Sequence, residues 1–187
     1  MLSQNNKRIR GGAGFSLIEL LIVVAIILII AAIAIPNLLR AKIAANQASA
    51  VEALRTIASS EETYNSVYND GFTLTLAQLG GPAGTAPSCT NGMYIDEVLS
   101  NDPASKSGYI YTYTNSGVAR IPNAANVPAG CGASGDTGFA VGAVPQSPST
   151  GTASYCVDDT GVVRSDTTGG GGVSGVYPCP AADKPIR

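Results

Sequence analysis

Residues 14–36 read GFSLIELLIVVAIILIIAAIAIP, a run in which Glu19 is the only charged side chain. From Phe15 to Ile35 the run is 21 residues long, and a helix needs roughly 20 residues to cross the hydrocarbon core of a bilayer. The sequence therefore predicts a membrane-crossing helix. A lone carboxylate in hydrocarbon costs on the order of several kcal/mol, and such groups usually face a partner. The run therefore also predicts a partner for Glu19.

The segment before this run is basic and indicates which way the helix crosses the membrane. Lys7, Arg8 and Arg10 precede the run, and residues 1–14 contain no acid. Basic residues beside a membrane segment stay in the cytoplasm, so the C-terminal side is expected to face outward.

Composition limits what the rest of the chain can be. The 187 residues include 22 Gly and 11 Pro but no Trp and three Phe, and much of the apolar content lies between residues 15 and 58. We expect one small, loop-rich domain beside the membrane segment, of a size that benefits from covalent cross-links. Without residues 1–14 the net charge changes from −2 to −5, which argues against nucleic-acid binding over the whole domain.

The four cysteines all lie in the C-terminal part, at Cys89, Cys131, Cys156 and Cys179. An even number of cysteines in an exported domain predicts disulfides. Three pairings are possible, and the sequence does not choose among them. We favour Cys89–Cys131 with Cys156–Cys179 because local loops are simplest. Free thiols are the alternative, and zinc is disfavoured because the chain has no Cys-x-x-Cys spacing and no His.

A helical pattern continues well beyond the apolar run. Apolar residues recur at spacings of three and four up to Tyr68, which predicts one helix over residues 15–68. Pro36 lies inside this helix and is expected to kink or loosen it. The Asn-Asp-Gly sequence at residues 69–71 should end it. The polar positions, Glu61 and Glu62 among them, are expected to form its exposed surface.

Residues 1–36 allow three interpretations. An ordinary secretory signal would be cut after Ala32-Ile33-Ala34, but it predicts an unrelated segment afterwards, whereas the helical pattern continues. A plain single-pass anchor explains neither Glu19 nor the Gly-Gly-Ala-Gly at residues 11–14. The third interpretation is a leader that is cut between Gly14 and Phe15, which leaves the apolar run on the mature protein.

Residues 14–21, GFSLIELL, resemble the class III signal of type IV pilins and type II secretion pseudopilins, and the resemblance extends over residues 8–60. It implies that a membrane-embedded prepilin peptidase cuts between Gly14 and Phe15 and methylates the new amine of Phe15. Glu19 and Pro36 then stand at the positions of the family's glutamate and proline, 5 and 22 residues beyond Gly14. The motif alone does not separate pilins from pseudopilins.

Cutting after Gly14 would supply the partner that Glu19 needs. The new amine on Phe15 is cationic, and methylation leaves its charge in place. In a staggered assembly the amine of one copy can meet Glu19 of a neighbour, so that two charges costly in lipid neutralise each other. Pairing with the chain's own amine, four residues away on the same helix, and snorkelling of Glu19 to the membrane surface are the alternatives.

Beyond Gly71 the sequence predicts a small β-rich domain. Strands are expected over residues 107–114, 137–144, 154–157 and 161–164, with a hairpin turn at residues 158–160. Short helices are expected at residues 74–79 and 94–99, and the Gly-rich stretch 167–175 should be flexible. The predicted fold class is α+β: a long N-terminal helix, with its hydrophobic half protruding, packed against a small antiparallel sheet. The order of a helix before a strand meander also resembles the pilin fold.

Catalysis is not predicted. Without His, Ser-His-Asp and Cys-His mechanisms are excluded, and no phosphate-binding or dinucleotide-binding motif occurs. Asp158, Asp159 and Asp166 match no calcium-loop spacing that we can defend, so a solvated turn is the preferred interpretation. The tyrosines of the domain are expected to pack across strands rather than to serve adhesion. We expect no enzyme activity, no cofactor and no metal.

These observations give a domain plan and a functional hypothesis. The plan is a cleaved leader over residues 1–14, a membrane and assembly half-helix over 15–36, an amphipathic half-helix over 37–70, and a disulfide-bonded head over 71–187. The resemblance implies a type IV pilus subunit that waits in the inner membrane, N-terminus cytoplasmic, and moves to an extracellular filament. Its partners would be membrane lipid, the prepilin peptidase, an inner-membrane assembly platform and copies of itself. A secretion pseudopilin and a non-polymerising membrane-anchored binding protein are the alternatives.

Overall fold

The computed structural model describes residues 14–82, 84–101, 103–120, 128, 131, 135–166, 177–180 and 184–186. The basic leader segment before Gly14 and the predicted flexible stretch 167–175 lie outside the described residues. The chain forms two compact units, Met1–Leu39 and Arg40–Arg187.

The described residues form a long helix, a short helix and six strands. In chain order these are α1 (Leu17–Tyr68), α2 (Leu76–Leu79), β1 (Ala104–Lys106), β2 (Tyr109–Asn115), β3 (Phe139–Pro145), β4 (Ser154–Asp158), β5 (Arg164–Asp166) and β6 (Lys184–Pro185). Helix followed by antiparallel sheet confirms the α+β, pilin-like architecture that the sequence predicts.

Helix α1 ends where the Asn-Asp-Gly sequence predicts a stop. Asn69 adopts a positive φ of 53°, a conformation that asparagine tolerates better than most residues. Gly71 follows with a φ of 98°, and a Cβ at this position would lie 2.5 Å from the carbonyl oxygen of Asp136. Only glycine fits this close approach of two backbone segments.

The sheet is a meander in which each strand pairs antiparallel with the next one along the chain, in the order β1-β2-β3-β4-β5-β6. Tyr113 on β2 lies opposite Val141 on β3, which in turn lies opposite Val157 on β4. Strands β2, β3 and β4 lie close to the predicted runs, because each run is rich in β-branched and aromatic residues or is bounded by turn residues.

Three details differ from the prediction. The short strands β1 and β6 were not expected, since each carries little sequence pattern. The strand predicted at residues 161–164 begins only at Arg164, because Gly161 is used in the turn with a φ of 70°. The helix predicted at residues 94–99 is replaced by a single turn, in which the carboxylate of Asp96 accepts a hydrogen bond from the Leu99 amide at 2.9 Å.

One hydrophobic core lies within the unit Arg40–Arg187. On α1 the fully buried residues fall at helical spacing and include Ala50, Leu54, Ile57 and Tyr64. On the sheet, alternate residues of β2, β3 and β4 join the same core: Tyr109, Tyr111, Tyr113, Phe139, Val141, Ala143, Tyr155 and Val157. The period of about 3.6 on the helix and of 2 on the strands therefore produces matching apolar faces.

The opposite face of the sheet carries a second, smaller cluster. Ala140 and Cys156 point to this side and are covered by Cys179 and Tyr177 of the C-terminal segment. This cover explains why all five residues of β4 are buried, although a sheet with one solvated face would alternate.

The main core gives a first stability prediction. We expect Ile57→Val to destabilise the head by about 1 kcal/mol, because it removes one buried methylene from a close-packed site. Denaturant unfolding of the full chain in nonionic detergent measures the loss. Val67→Ala is the matched control on the same helix: Val67 is half exposed, so its truncation should change the free energy of unfolding by less than about 0.5 kcal/mol. Equal losses for both variants would contradict the assigned core.

Candidate functional site

The predicted cut site lies just before the first turn of α1. Gly14, Phe15 and Ser16 precede the helix, which begins at Leu17. The side chain of Phe15 is 89% exposed. Exposed, non-helical backbone is the form in which a peptidase can bind a chain, since a helix withholds its backbone groups in internal hydrogen bonds. The described residues therefore present the Gly14–Phe15 bond in an accessible form.

Glu19 has a hydrogen-bond partner within its own chain. Its Oε2 accepts a hydrogen bond from the backbone amide of Ser16 at 2.9 Å, and the amide of Leu20 donates to the Ser16 carbonyl at 3.2 Å. Ser16 thus occupies the N-cap position and Glu19 the third helical position, as in one half of a capping box. A carboxylate here also faces the positive end of the helix dipole. This local arrangement orients Glu19 before any neighbour is present.

The first unit presents an apolar surface on all sides. Every large apolar side chain from Phe15 to Leu39 is exposed, and α1 contains an 18-residue window of mean hydropathy 3.3 with none of its residues buried. By length and composition this helix can cross a membrane. An apolar surface of this size is stable only against lipid or against other apolar helices.

Pro36 lies inside α1, and the helix continues through it. Proline has no N–H to donate, so one backbone carbonyl in the preceding turn lacks its helical partner. The expected assembly role of Pro36 stays a prediction.

The cysteines pair as two local bridges, the pairing favoured from the sequence. Cys89 bonds to Cys131 with a Cα–Cα distance of 5.7 Å, and Cys156 bonds to Cys179 with a Cα–Cα distance of 5.9 Å. The first bridge spans 42 residues and the second 23. The second also fastens the C-terminal segment to the centre of β4.

Most tyrosines of the head are buried rather than displayed. Tyr109, Tyr111, Tyr113 and Tyr155 belong to the main core. Tyr109 donates to the Ala153 carbonyl at 2.9 Å. Burial raises the pKa of Tyr111 to about 12, so its phenol stays neutral at physiological pH. These tyrosines therefore pack within the core of the head, as the sequence predicts.

The aspartates of the β4–β5 turn are used by the fold. Asp158 is buried, and one of its oxygens accepts hydrogen bonds from the Thr160 amide and hydroxyl at 3.2 and 2.5 Å. The other oxygen accepts from the Cys179 amide at 3.2 Å. Asp159 accepts from the Tyr177 phenol at 3.1 Å. Within the described ranges, no three potential metal ligands come together.

Glu61 corrects a prediction. The sequence predicts an exposed position for Glu61, yet its side chain is fully buried, whereas Glu62 is exposed. Its position explains this: Ile57, Glu61 and Tyr64 are spaced by four and three residues and therefore share the inward face of α1. This spacing was the sequence signal from which the burial of Glu61 could have been predicted. The Ser-x-x-Glu pattern at Ser16 and Glu19 was likewise a readable capping signal.

Two comparisons with known proteins found a match. A family described as the prokaryotic N-terminal methylation motif matches residues 9–35. The chain is 44% identical over 70 residues to the type IV wide pilus major component PilA4 of Thermus thermophilus. This match covers 37% of the chain and 53% of the relative, so the chain spans about half the length of that relative. No solved structure matches. The two matches confirm the resemblance to type IV pilins.

Proposed function

We propose that this chain, whose residues 9–35 match the prokaryotic N-terminal methylation motif, is a structural subunit of a type IV pilus. The observation that carries the proposal is the exposed apolar half of α1, with one acid at a fixed distance from a methylation-type cut site. A surface of this kind has two stable environments, lipid and a bundle of identical helices. A subunit that moves from lipid into a bundle of identical helices accounts for both the membrane-spanning length of the apolar run and the acid within it.

Processing begins in the inner membrane. The basic residues before the apolar run keep the N-terminus cytoplasmic, and the prepilin peptidase cuts between Gly14 and Phe15 and methylates the Phe15 amine. The exposed backbone at these residues supports this step. Before assembly, the lipid tails cover the apolar side chains of α1.

Polymerisation follows when an assembly platform brings processed copies together. The cationic amine of Phe15 on one copy approaches Glu19 on its neighbour, and apolar helix surfaces replace lipid. The capping hydrogen bond from Ser16 holds the carboxylate in the first helical turn, near the place where the amine is created. The filament then supports surface attachment, twitching motility or DNA uptake, and each of these roles depends on the strength of the fibre. The head serves as a structural domain, and catalysis has no part in its role.

The pilus is favoured over the secretion pseudopilus by a specific comparison. The relative with 44% identity over 70 residues is named as a major component of a wide type IV pilus. A secretion pseudopilin, which would use the same helix to form a short periplasmic polymer, is the second candidate, because the motif is common to both assemblies.

Processing gives a direct test. Mass spectrometry of the mature chain is expected to show an N-terminus at Phe15 that carries one added methyl group. In cells that lack the peptidase, the chain should instead keep the basic residues that precede Gly14. A mature chain that begins near Ile35 would identify an ordinary secretory signal, and an uncut chain in wild-type cells would identify a plain anchor; either result overturns the proposal.

A further inference from the structure

A polar cluster lies at the junction between α1 and the segment that follows it. Glu61 on α1 is fully buried, as is Thr73, and Tyr113 on β2 is nearly so. The amide of Thr73 donates to Glu61 Oε2 at 3.0 Å, and the Thr73 hydroxyl is hydrogen-bonded to Glu61 Oε1. The Tyr113 hydroxyl lies 3.3 Å from the Thr73 hydroxyl and donates to the Thr73 carbonyl at 2.7 Å.

No cation neutralises this carboxyl among the described residues. The guanidinium of Arg120 donates to Asn65 Oδ1 at 2.6 Å; its charge lowers the pKa of Asp70 and is not among the groups that act on Glu61. The titratable groups that face Glu61 are Glu62 and Tyr64 on its own helix and Tyr113 on β2. All of them are acids, so none stabilises a negative charge on Glu61 by opposite charge.

Burial therefore dominates the ionisation of Glu61. It raises the pKa of Glu61 to about 7, against the opposing hydrogen bonds from Thr73 and Tyr113, and the charge on Glu62 raises it slightly further. Desolvation disfavours the charged form of a carboxyl in this way wherever no counter-ion compensates it. Near neutral pH both forms of Glu61 are then populated.

The hydrogen bonds of the cluster can be arranged for either protonation state of Glu61, so burial without a counter-ion is what favours the neutral form. A protonated Glu61 can donate to the Thr73 hydroxyl, which can donate to the Tyr113 hydroxyl, which donates to the Thr73 carbonyl. Every hydroxyl in this circuit then both donates and accepts. When Glu61 is ionised, the Thr73 hydroxyl must turn its proton to the carboxylate, and the Tyr113 oxygen loses its donor.

The cluster fastens a segment that connects several parts of the head. Next to Thr73, the backbone of Phe72 exchanges two hydrogen bonds with that of Asp136, both at 3.0 Å. The Asp70 carbonyl accepts from the Gly135 amide at 2.9 Å. Residues 70–73 thus join α1, β2 and the approach to β3, and Glu61 supplies the side-chain hydrogen bonds that hold Thr73 to α1.

We propose that Glu61, Thr73 and Tyr113 form a proton-controlled clasp, which holds residues 70–73 on α1 while Glu61 is neutral and loosens when Glu61 ionises. Because the pKa of Glu61 is raised in the folded head, its stabilising effect is complete below the ordinary value of 4.5 and is lost as the pH rises through about 7. The head is therefore most firmly closed in mildly acidic surroundings. This clasp does not depend on whether the chain forms a filament.

The test compares Glu61→Gln with wild type and with Glu62→Gln, using the full chain in nonionic detergent. Glutamine has the shape of the neutral acid and can keep both contacts with Thr73. From pH 5 to pH 8, the unfolding equilibrium constant of wild type relative to E61Q should rise by on the order of fiftyfold. The exposed Glu62 contributes only the weakest of the effects on the pKa of Glu61, so E62Q should keep nearly the pH profile of wild type. Parallel pH profiles for wild type and E61Q would overturn the proposal.

A second measurement keeps the proposal testable if E61Q does not fold. Infrared or carbon NMR titration of the wild-type chain should show one glutamate that loses its proton near neutral pH. Tyr113→Phe removes a hydroxyl that helps to hold the charged form, so it should move this titration to higher pH. If all glutamates lose their protons near the ordinary value, the clasp is wrong.

Discussion

Glu19→Gln is expected to abolish fibres while leaving the chain in the membrane. The variant removes the negative charge, so the Phe15 amine of the neighbouring copy stays unpaired among apolar helices. Breaking one partner of a buried ion pair costs about 3–5 kcal/mol, which corresponds to a loss of roughly a hundredfold or more in subunit addition. Glutamine can still accept the hydrogen bond from the Ser16 amide, so the first turn of α1 keeps its cap.

The measurement is the amount of chain in sheared fibres relative to the membrane fraction. Glu52→Gln is the matched control, because Glu52 is on the same helix, is exposed, and lies outside the apolar run. It should leave fibre yield unchanged. Normal fibre abundance in the Glu19 variant would mean that the carboxylate has no part in assembly, and a loss of the variant from the membrane would mean that it acts on insertion.

Removing the bridge between Cys156 and Cys179 should destabilise the head strongly. For a loop of 23 residues, the chain-entropy account gives a loss of about 3 kcal/mol. The bridge also fixes the C-terminal segment, whose Cys179 amide bonds to Asp158 and whose Tyr177 bonds to Asp159. We therefore expect Cys156→Ala/Cys179→Ala to lose these contacts as well. Denaturant unfolding under non-reducing conditions measures the free energy of unfolding.

The double variant Cys89→Ala/Cys131→Ala is the natural comparison. Its loop of 42 residues is longer, so the entropic loss should be about 4 kcal/mol. Wild type under reducing conditions should lose both contributions together. A loss below about 1 kcal/mol for either pair would show that the unfolded chain gains little freedom when the bridge is absent, contrary to this account.

The fold was predictable wherever the sequence carries a strong period or a turn signal. The apolar spacing up to Tyr68 and the Asn-Asp-Gly stop set both ends of α1 within two residues. The short strands β1 and β6 were not predictable, because three or two residues cannot display an alternation and they form only where a neighbouring strand offers an edge. The turn at Asp96 replaced a predicted helix because a local side-chain hydrogen bond satisfied the backbone first.

The candidate site was predictable in part. A motif with fixed spacing identifies Gly14, Phe15, Glu19 and Pro36. Their proposed roles involve a peptidase and neighbouring copies, which a single chain does not contain, so these roles stay predictions. Glu61 was missed because residue type was given more weight than helical position. A carboxylate is usually exposed, whereas the spacing from Ile57 to Tyr64 puts this one in the core.

Copies of this chain are proposed to form an extracellular fibre through α1. Immunogold electron microscopy of sheared surface material, with an antibody against the folded head, tests it most directly. We expect gold along the length of the fibres, none on material from cells without the gene, and its return when the gene is restored. Unlabelled fibres, with the chain confined to the membrane fraction of the same cells, would contradict the claim and identify a membrane-anchored protein that does not polymerise.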